Sequence, residues 1–144
     1  MQALALKLYG GTGEKAADAA LTASSAVRGT AYTPANGAVY PASPLGNALK
    51  DIARLVKADV GLAAAAVDSG DWDMHEGLGT AVAGQRMHDH LGEFAAALAA
   101  FAADLGADGL KNVTLVTLSE FGRRVAQNGS GTDHGHGNVV TILS

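Results

Sequence analysis

Six apolar residues, Met87, Leu91, Phe94, Leu98, Phe101 and Leu105, recur at intervals of four, three, four, three and four. Side chains at this spacing line one face of an α-helix. The pattern predicts a long amphipathic helix over about 80–105, stopped by Gly106. One apolar stripe on a helix has to be buried against a second layer. Upstream, Ser43 has the chemistry of an N-cap and Pro44 suits the first helical position. Leu45, Leu49, Ile52, Leu55 and Val56 then share a face, with Lys50, Arg54 and Lys57 off it, which predicts a helix from Pro44 to about Ala58. Downstream, Asn112 to Leu118 is a β-branched run and predicts a strand.

Two further strands are expected. The apolar run Val60 to Val67 reads as a buried strand, and Asn138 to Leu143 as a third, with loops over 68–79 and Ser119 to Gly137. Strand, long helix, strand is a βαβ unit, so the first two strands are expected to be parallel with a right-handed crossover. The fold class expected is α/β, of the three-layer type, with a parallel or mixed sheet and flanking helices. Residues 1–144 form one domain in this reading. Residues 1–43 are a helical and loop lead-in, and 44–144 the core with the site loops. The lead-in holds two short helical pieces broken at Gly10-Gly11-Thr12-Gly13, a linker that lacks the Gly-Lys-Ser/Thr ending of a phosphate loop. Turn chemistry follows at Thr33-Pro34-Ala35-Asn36-Gly37. Three strands leave an exposed sheet edge. The expectation is therefore a fragment of a larger domain, or a homo-oligomer in which a second copy covers that edge.

Composition removes several classes of function. The net charge is −4 and no basic stripe appears, so no nucleic-acid partner is expected. There is no cysteine, which excludes disulfides and Cys-based metal sites. No signal peptide is visible over Met1 to Tyr9, and no membrane span is expected.

The chemistry is concentrated in three loop segments, Gly70-Asp71-Trp72-Asp73-Met74-His75-Glu76, Ser119-Glu120-Phe121-Gly122-Arg123-Arg124 and Gly131-Thr132-Asp133-His134-Gly135-His136. In open parallel sheets, ligands bind outside the carboxyl ends of strands. The first segment follows the strand expected at 60–67 and the second follows the strand ending at Leu118, so both are expected on one rim, with the third folding over it. Asp73 and His75 are two apart and point the same way in an extended loop. Carboxylates combined with imidazoles suit zinc, manganese or iron, and carboxylate-rich sets suit magnesium or calcium. The expected metal ligands are Asp73, His75, Glu120, Asp133 and His134. Glu120, after a buried strand, requires a cation, which is either a metal or a neighbouring arginine, Arg123 or Arg124. Asp133 also suits a turn. His88 and His90 flank the helix stripe and read as solvated or partly packed. Trp72 is either a pocket wall or packing under its loop. Ser119 lacks the Gly-x-Ser-x-Gly elbow of a nucleophile.

In this order, and around a long helix, the three segments resemble a bacterial family, the domain of unknown function 1501. That family's members are often exported by the twin-arginine route, and the family is itself similar to the alkaline phosphatase and sulfatase superfamily. The resemblance covers about residues 44–144. It implies an alkaline-phosphatase-like fold, a periplasmic or exported location, and metal-dependent hydrolysis of small-molecule phosphate or sulfate esters. It also implies that Asp73 and His75 match an aspartate–histidine ligand segment, that Glu120 stands where the superfamily has an aspartate at a strand end, and that His134 matches a late histidine ligand. Arg123 is a candidate catalytic residue. Two departures stand out. Phe121 occupies the place of a second ligand histidine, and Arg124-Val125 replaces the usual Thr-Pro. The superfamily's early nucleophile has no counterpart, so this chain by itself is expected to be inactive. The alternative expectation is a non-catalytic exported binding or assembly module on a degenerate phosphatase-like fold. A third is a structural domain whose loops are held by Glu120–Arg ion pairs.

Overall fold

The computed structural model describes Ser25 and residues 31–144. The helical pieces expected before residue 28 and the Gly10–Gly13 linker lie, Ser25 apart, outside the described residues.

Two helices carry the core. Helix α1 spans Pro44–Lys57 and begins as its local chemistry dictates. The Ser43 hydroxyl accepts from the Gly46 amide at 3.1 Å, which satisfies one of the amides a helix start leaves unpaired. Helix α2 spans Arg86–Leu110. Gly106 adopts φ 65°, a left-handed value open to glycine, and interrupts the helix before a last turn. The carbonyl of Ala103, close to this break, accepts from the Asn36 side chain at 2.8 Å. Asn36 and Gly37 both have positive φ, and the Ala38 amide bonds the Ala35 carbonyl at 2.9 Å, so the expected turn at 33–37 is of the I′ kind.

Leu45, Leu49, Ile52 and Ala53 of α1 pack against Ala97, Phe101 and Leu105 of α2. Ala53 and Ala97 are wholly buried, and their small side chains let the helices approach closely. The α2 stripe is covered unevenly: Phe101 and Leu105 are buried, and Met87, Phe94 and Leu98 half-buried. Leu91 is on the stripe but is 51% exposed. The dominant burial on α2 follows 97, 100, 101, 104 and 105 instead.

That rotation buries a charge. Asp104 is 1% exposed. It accepts from Tyr32 Oη at 2.7 Å, Tyr40 Oη at 2.8 Å, the Ala35 amide at 2.7 Å, and Lys57 Nζ of α1. Burial works to raise its pKa, but these four donors outweigh it and hold the carboxyl below its ordinary value. Burial and the hydrogen bond to Asp104 push both tyrosine hydroxyls far above their ordinary value. Asp104 thereby ties the 32–40 segment and α1 to α2.

The strands differ from expectation. Residues 60–67 form no strand. Leu62 and Val67 lean on the helix core, while Ala63 to Ala66 are exposed. Four consecutive alanines offer too little side chain to hold a strand in a sheet. The parallel pair flanking α2 is therefore absent among the described residues. Pairing here is antiparallel: β1 (Leu115–Val116) with β4 (Ile142–Leu143), and β2 (Gly122–Arg123) with β3 (His134–Gly135). The second ladder lies within the segment expected to be one long loop. Val113 and Leu115 face the helix core, whereas Val116, Leu118 and Ile142 are exposed, so the strand before Glu120 is buried on one side only. Among the described residues, no helix is long and apolar enough to cross a membrane.

Candidate metal centre

The segment 68–79 has no regular structure, so its course is set by anchors. Met74 is fully buried, and its carbonyl accepts from the Thr132 amide at 3.1 Å. The indole of Trp72 packs on His90 of α2, with ring centroids 4.2 Å apart, and edge-on to Phe94 at 5.3 Å. Arg86 of α2 forms an ion pair with Asp71 and donates to the Glu76 carbonyl at 3.3 Å. Met74 is turned inward, and Asp73 and His75 on either side of it are exposed, the Met74 amide bonding the Trp72 carbonyl at 3.0 Å across Asp73.

The β2–β3 ladder brings His134 to the same place. Its register pairs Gly122 with Gly135 and Arg123 with His134. The backbones cross so closely that a Cβ on Gly135 would lie 2.7 Å from the Arg124 amide. Gly131 is tighter still: a Cβ there would meet the His75 carbonyl at 2.3 Å. Glycine at 135 lets the 131–135 segment lie against Arg123 and Arg124, and glycine at 131 lets it lie against Met74 and His75.

Asp73 Oδ1 is the meeting point. His134 Nε2 lies 2.9 Å from it, His75 Nε2 3.1 Å, and Arg123 Nη2 2.8 Å. One ligand atom each from Asp73, His75 and His134 falls within 4.8 Å of the others, and all three residues are exposed. Two imidazole nitrogens and a carboxylate oxygen are a donor set for zinc, manganese or iron. Ligands about 2.1 Å from a tetrahedral ion stand roughly 3.4 Å apart, against 2.9 and 3.1 Å for the two Asp73–histidine pairs here. The His134 hydrogen bond, helped by the charges of His75 and His134 and by Arg123, holds the Asp73 carboxyl below its ordinary value. Asp73 is thus kept ionised, as a ligand must be.

The other expected residues are placed differently. Asp133 lies behind His75, with Oδ1 3.2 Å from His75 Nδ1, outside the three-residue cluster. Glu120 is exposed and makes no hydrogen bond or ion pair with the described residues; the ion pair expected with Arg123 does not form, because that guanidinium is engaged elsewhere. Arg123 donates to the carbonyls of Thr132 and Trp72 as well as to Asp73, joining all the site segments. Phe121 stacks flat on His134, with centroids 4.4 Å apart and planes 11° from parallel, and Arg123 covers Phe121 at 4.7 Å. The Ser119 hydroxyl donates to the Phe121 carbonyl at 2.7 Å. Asn128 is new to the site: its side chain bridges the His75 carbonyl at 3.1 Å and Asp133 Oδ1 at 3.0 Å. An asparagine in a Gly/Ser turn carries no signal that singles it out from sequence.

No curated protein and no solved structure matches the chain. A family model described as protein of unknown function (DUF1501) matches residues 5–143. With its length so covered, the chain belongs to the DUF1501 family.

Proposed function

We propose that Asp73, His75 and His134 form the divalent-metal site of a hydrolase-like domain whose substrates are small phosphate or sulfate esters. The observation that carries this reading is the convergence of the three ligand atoms within 4.8 Å on a face open to solvent. Catalytic metal sites commonly combine three protein ligands with an open position, whereas structural sites are closed. A divalent ion held there supplies a Lewis acid toward an ester oxygen. The chain's own residues prepare that position. Arg123 fixes one edge of the Asp73 carboxylate, Phe121 fixes the plane of His134, and the buried Met74 sets the outward course of the loop. The resemblance to alkaline phosphatases and sulfatases supports the ester class and an alkaline-phosphatase-like α/β scaffold.

Zinc and manganese titrations followed by calorimetry test the site. One ion per chain is expected, with binding lost in both Asp73→Ala and His134→Ala. Absence of binding, or binding indifferent to both changes, rejects it.

One observation favours a second reading, a non-catalytic binding or assembly module on the same scaffold. The Ser119 hydroxyl is committed to the Phe121 carbonyl, and by the resemblance Phe121 stands where the superfamily has a second ligand histidine. Metal binding without turnover of 4-nitrophenyl phosphate or sulfate supports the module, and turnover supports the hydrolase.

A further inference from the structure

We propose that Asn128 and Gly129 form a self-modifying site, at which the folded chain turns the Asn128 side chain into a carboxylate and thereby unties His75. The substrate is the chain itself, and the co-reactant is water. The conversion stands without a metal; only its consequence for zinc rests on the metal reading above.

Two Asn-Gly pairs occur in the chain, Asn36-Gly37 and Asn128-Gly129, and the sequence does not rank them. In such a pair no side chain shields the glycine amide, whose nitrogen can attack the asparagine side-chain carbonyl. A bond forms between the glycine nitrogen and Cγ, and that nitrogen gives its proton to solvent. The Cγ–Nδ2 bond then breaks, and Nδ2 takes up a proton and leaves as ammonia. Water opens the resulting five-membered imide at either carbonyl, giving aspartate or isoaspartate. One water is consumed, one ammonia is released, and no electrons change hands.

The structure separates the two pairs at Oδ1. Negative charge develops on that atom as the nitrogen attacks, so donors already aimed at it lower the barrier. Asn128 Oδ1 accepts from the amides of Ser130 at 3.0 Å and Gly131 at 2.7 Å. Among the described residues, no donor reaches Oδ1 of Asn36. The attacking side is open in both pairs. Gly129 is exposed, its amide has no acceptor among the described residues, and a Cβ built on it would meet nothing within 4 Å. The departing nitrogen of Asn128 is the one that ties the site together, since it donates to the His75 carbonyl at 3.1 Å and to Asp133 Oδ1 at 3.0 Å. A carboxylate oxygen in its place only accepts, so conversion turns both contacts repulsive. Isoaspartate also adds a carbon to the main chain inside the turn that the Asn128 amide closes on the Gly131 carbonyl at 2.9 Å.

The test ages the chelator-treated chain at mildly alkaline pH, both folded and in urea, and follows each Asn-Gly pair by peptide mass and by enzymatic methylation of isoaspartate. In urea the two pairs should convert at similar rates. In the folded chain Asn128 is expected to convert roughly 10-fold faster than Asn36, as two hydrogen bonds to the developing charge require, and faster than it does in urea. Gly129→Ala, whose methyl meets open space, should fold and bind zinc as the wild type does and slow the conversion sharply. The amides of Leu78 and Thr132 bond across to Ser130 and Met74, so their hydrogen exchange reads the tie without any metal. It should quicken in the aged wild type and in Asn128→Asp, but not in aged Gly129→Ala, and zinc affinity should fall in the same two samples. Slower conversion of Asn128 in the folded chain than in urea overturns the proposal, since the turn then shields the pair. Unchanged exchange at Leu78 and Thr132 in fully converted chain also overturns it. If conversion and exchange behave as expected and the fresh wild type binds no zinc, the metal reading fails while the self-modifying site is upheld.

Discussion

Asp104 and Asp73 each gather at least three polar partners around one carboxylate, yet their surroundings are opposite. Asp104 is sealed between the two helices, and every partner is a donor with one fixed role: two tyrosine hydroxyls, a backbone amide and a lysine. Asp73 lies in the open, with its side chain 57% exposed, and two of its three partners are imidazoles. A histidine nitrogen can exchange its proton for a metal ion; a tyrosine hydroxyl buried against a carboxylate cannot do so without unfolding its surroundings. The same residue type is structural where its partners are fixed and dry, and available for chemistry where they are exchangeable and wet.

The contrast is broken most directly by removing each carboxylate. Asp104→Ala strands the ammonium of Lys57, both hydroxyls and the Ala35 amide. The loss of one partner of a buried pair costs about 3–5 kcal/mol. Urea denaturation followed by circular dichroism is expected to show a loss of that size. Asp73→Ala should leave the urea midpoint where it was and abolish zinc binding. If Asp73→Ala destabilises the chain as much as Asp104→Ala, the loop cluster is structural and the distinction fails.

Metal sharpens the same comparison in the other direction. A ligand bound only by the folded state at 100 times its Kd stabilises by about 2.7 kcal/mol. Zinc at that excess is expected to raise the melting temperature of the wild type and of Asp104→Asn alike, and to leave Asp73→Ala unchanged. Gly131→Ala should also lose the zinc effect, because its Cβ would collide with the His75 backbone and drive the two site segments apart.

These two regions also differ in how far the sequence reveals them. Helix α1 was legible because its signals are local: Ser43 caps, Pro44 starts, and the leucine spacing defines a face. The α2 stripe was legible as a helix, but not which part of it would be covered, since that depends on where α1 lies. Asp104 gave no sign, because its partners Tyr32 and Tyr40 stand 72 and 64 residues away and nothing local distinguishes it from a solvated acid. At 60–67, apolar content suggested a strand, but alanines bring no shape that a sheet can hold. The Asp73–His75 pair could be read from its two-residue spacing, and His134 from its neighbours. The β2–β3 ladder that brings them together could not, since it depends on backbone crossings permitted by Gly122, Gly131 and Gly135. Nor could the placement of Asp133 behind His75 rather than beside it.

Acid and base should separate the two carboxylates by a smaller amount. The Asp104 pKa is depressed in the folded state, so its contribution is complete above the ordinary carboxylate value of 3.8 and is lost as pH falls below it. Tyr32 and Tyr40 are raised, so theirs is complete below their ordinary value of 10 and is lost as pH rises beyond it. A plot of urea midpoint against pH should be flat between those limits and fall on both sides. Asp104→Asn should flatten the acid limb. Asp73→Asn should not, although Asp73 is also depressed, because water screens an exposed group. An acid limb that follows Asp73 instead would reverse the assignment.

Salt should produce the smallest effect and reach only the exposed region. At 1 M ionic strength the Debye length is about 3 Å, so solvent-exposed pairs such as Arg86–Asp71 and Arg123–Asp73 are screened while the Asp104 network is shielded by protein. Trp72 is the one tryptophan of the chain and lies in the site loop, against His90 and Phe94 of α2, so its emission reports whether that loop stays docked. Raising sodium chloride from about 0.1 to 1 M is expected to shift Trp72 emission slightly to the red with no change in helical circular dichroism. Arg86→Met should produce the same shift at low salt and respond no further to added salt. Should the helical signal fall together with the Trp72 signal, loop and helices are one cooperative unit. The open carboxylate would then be held by the same forces as the buried one.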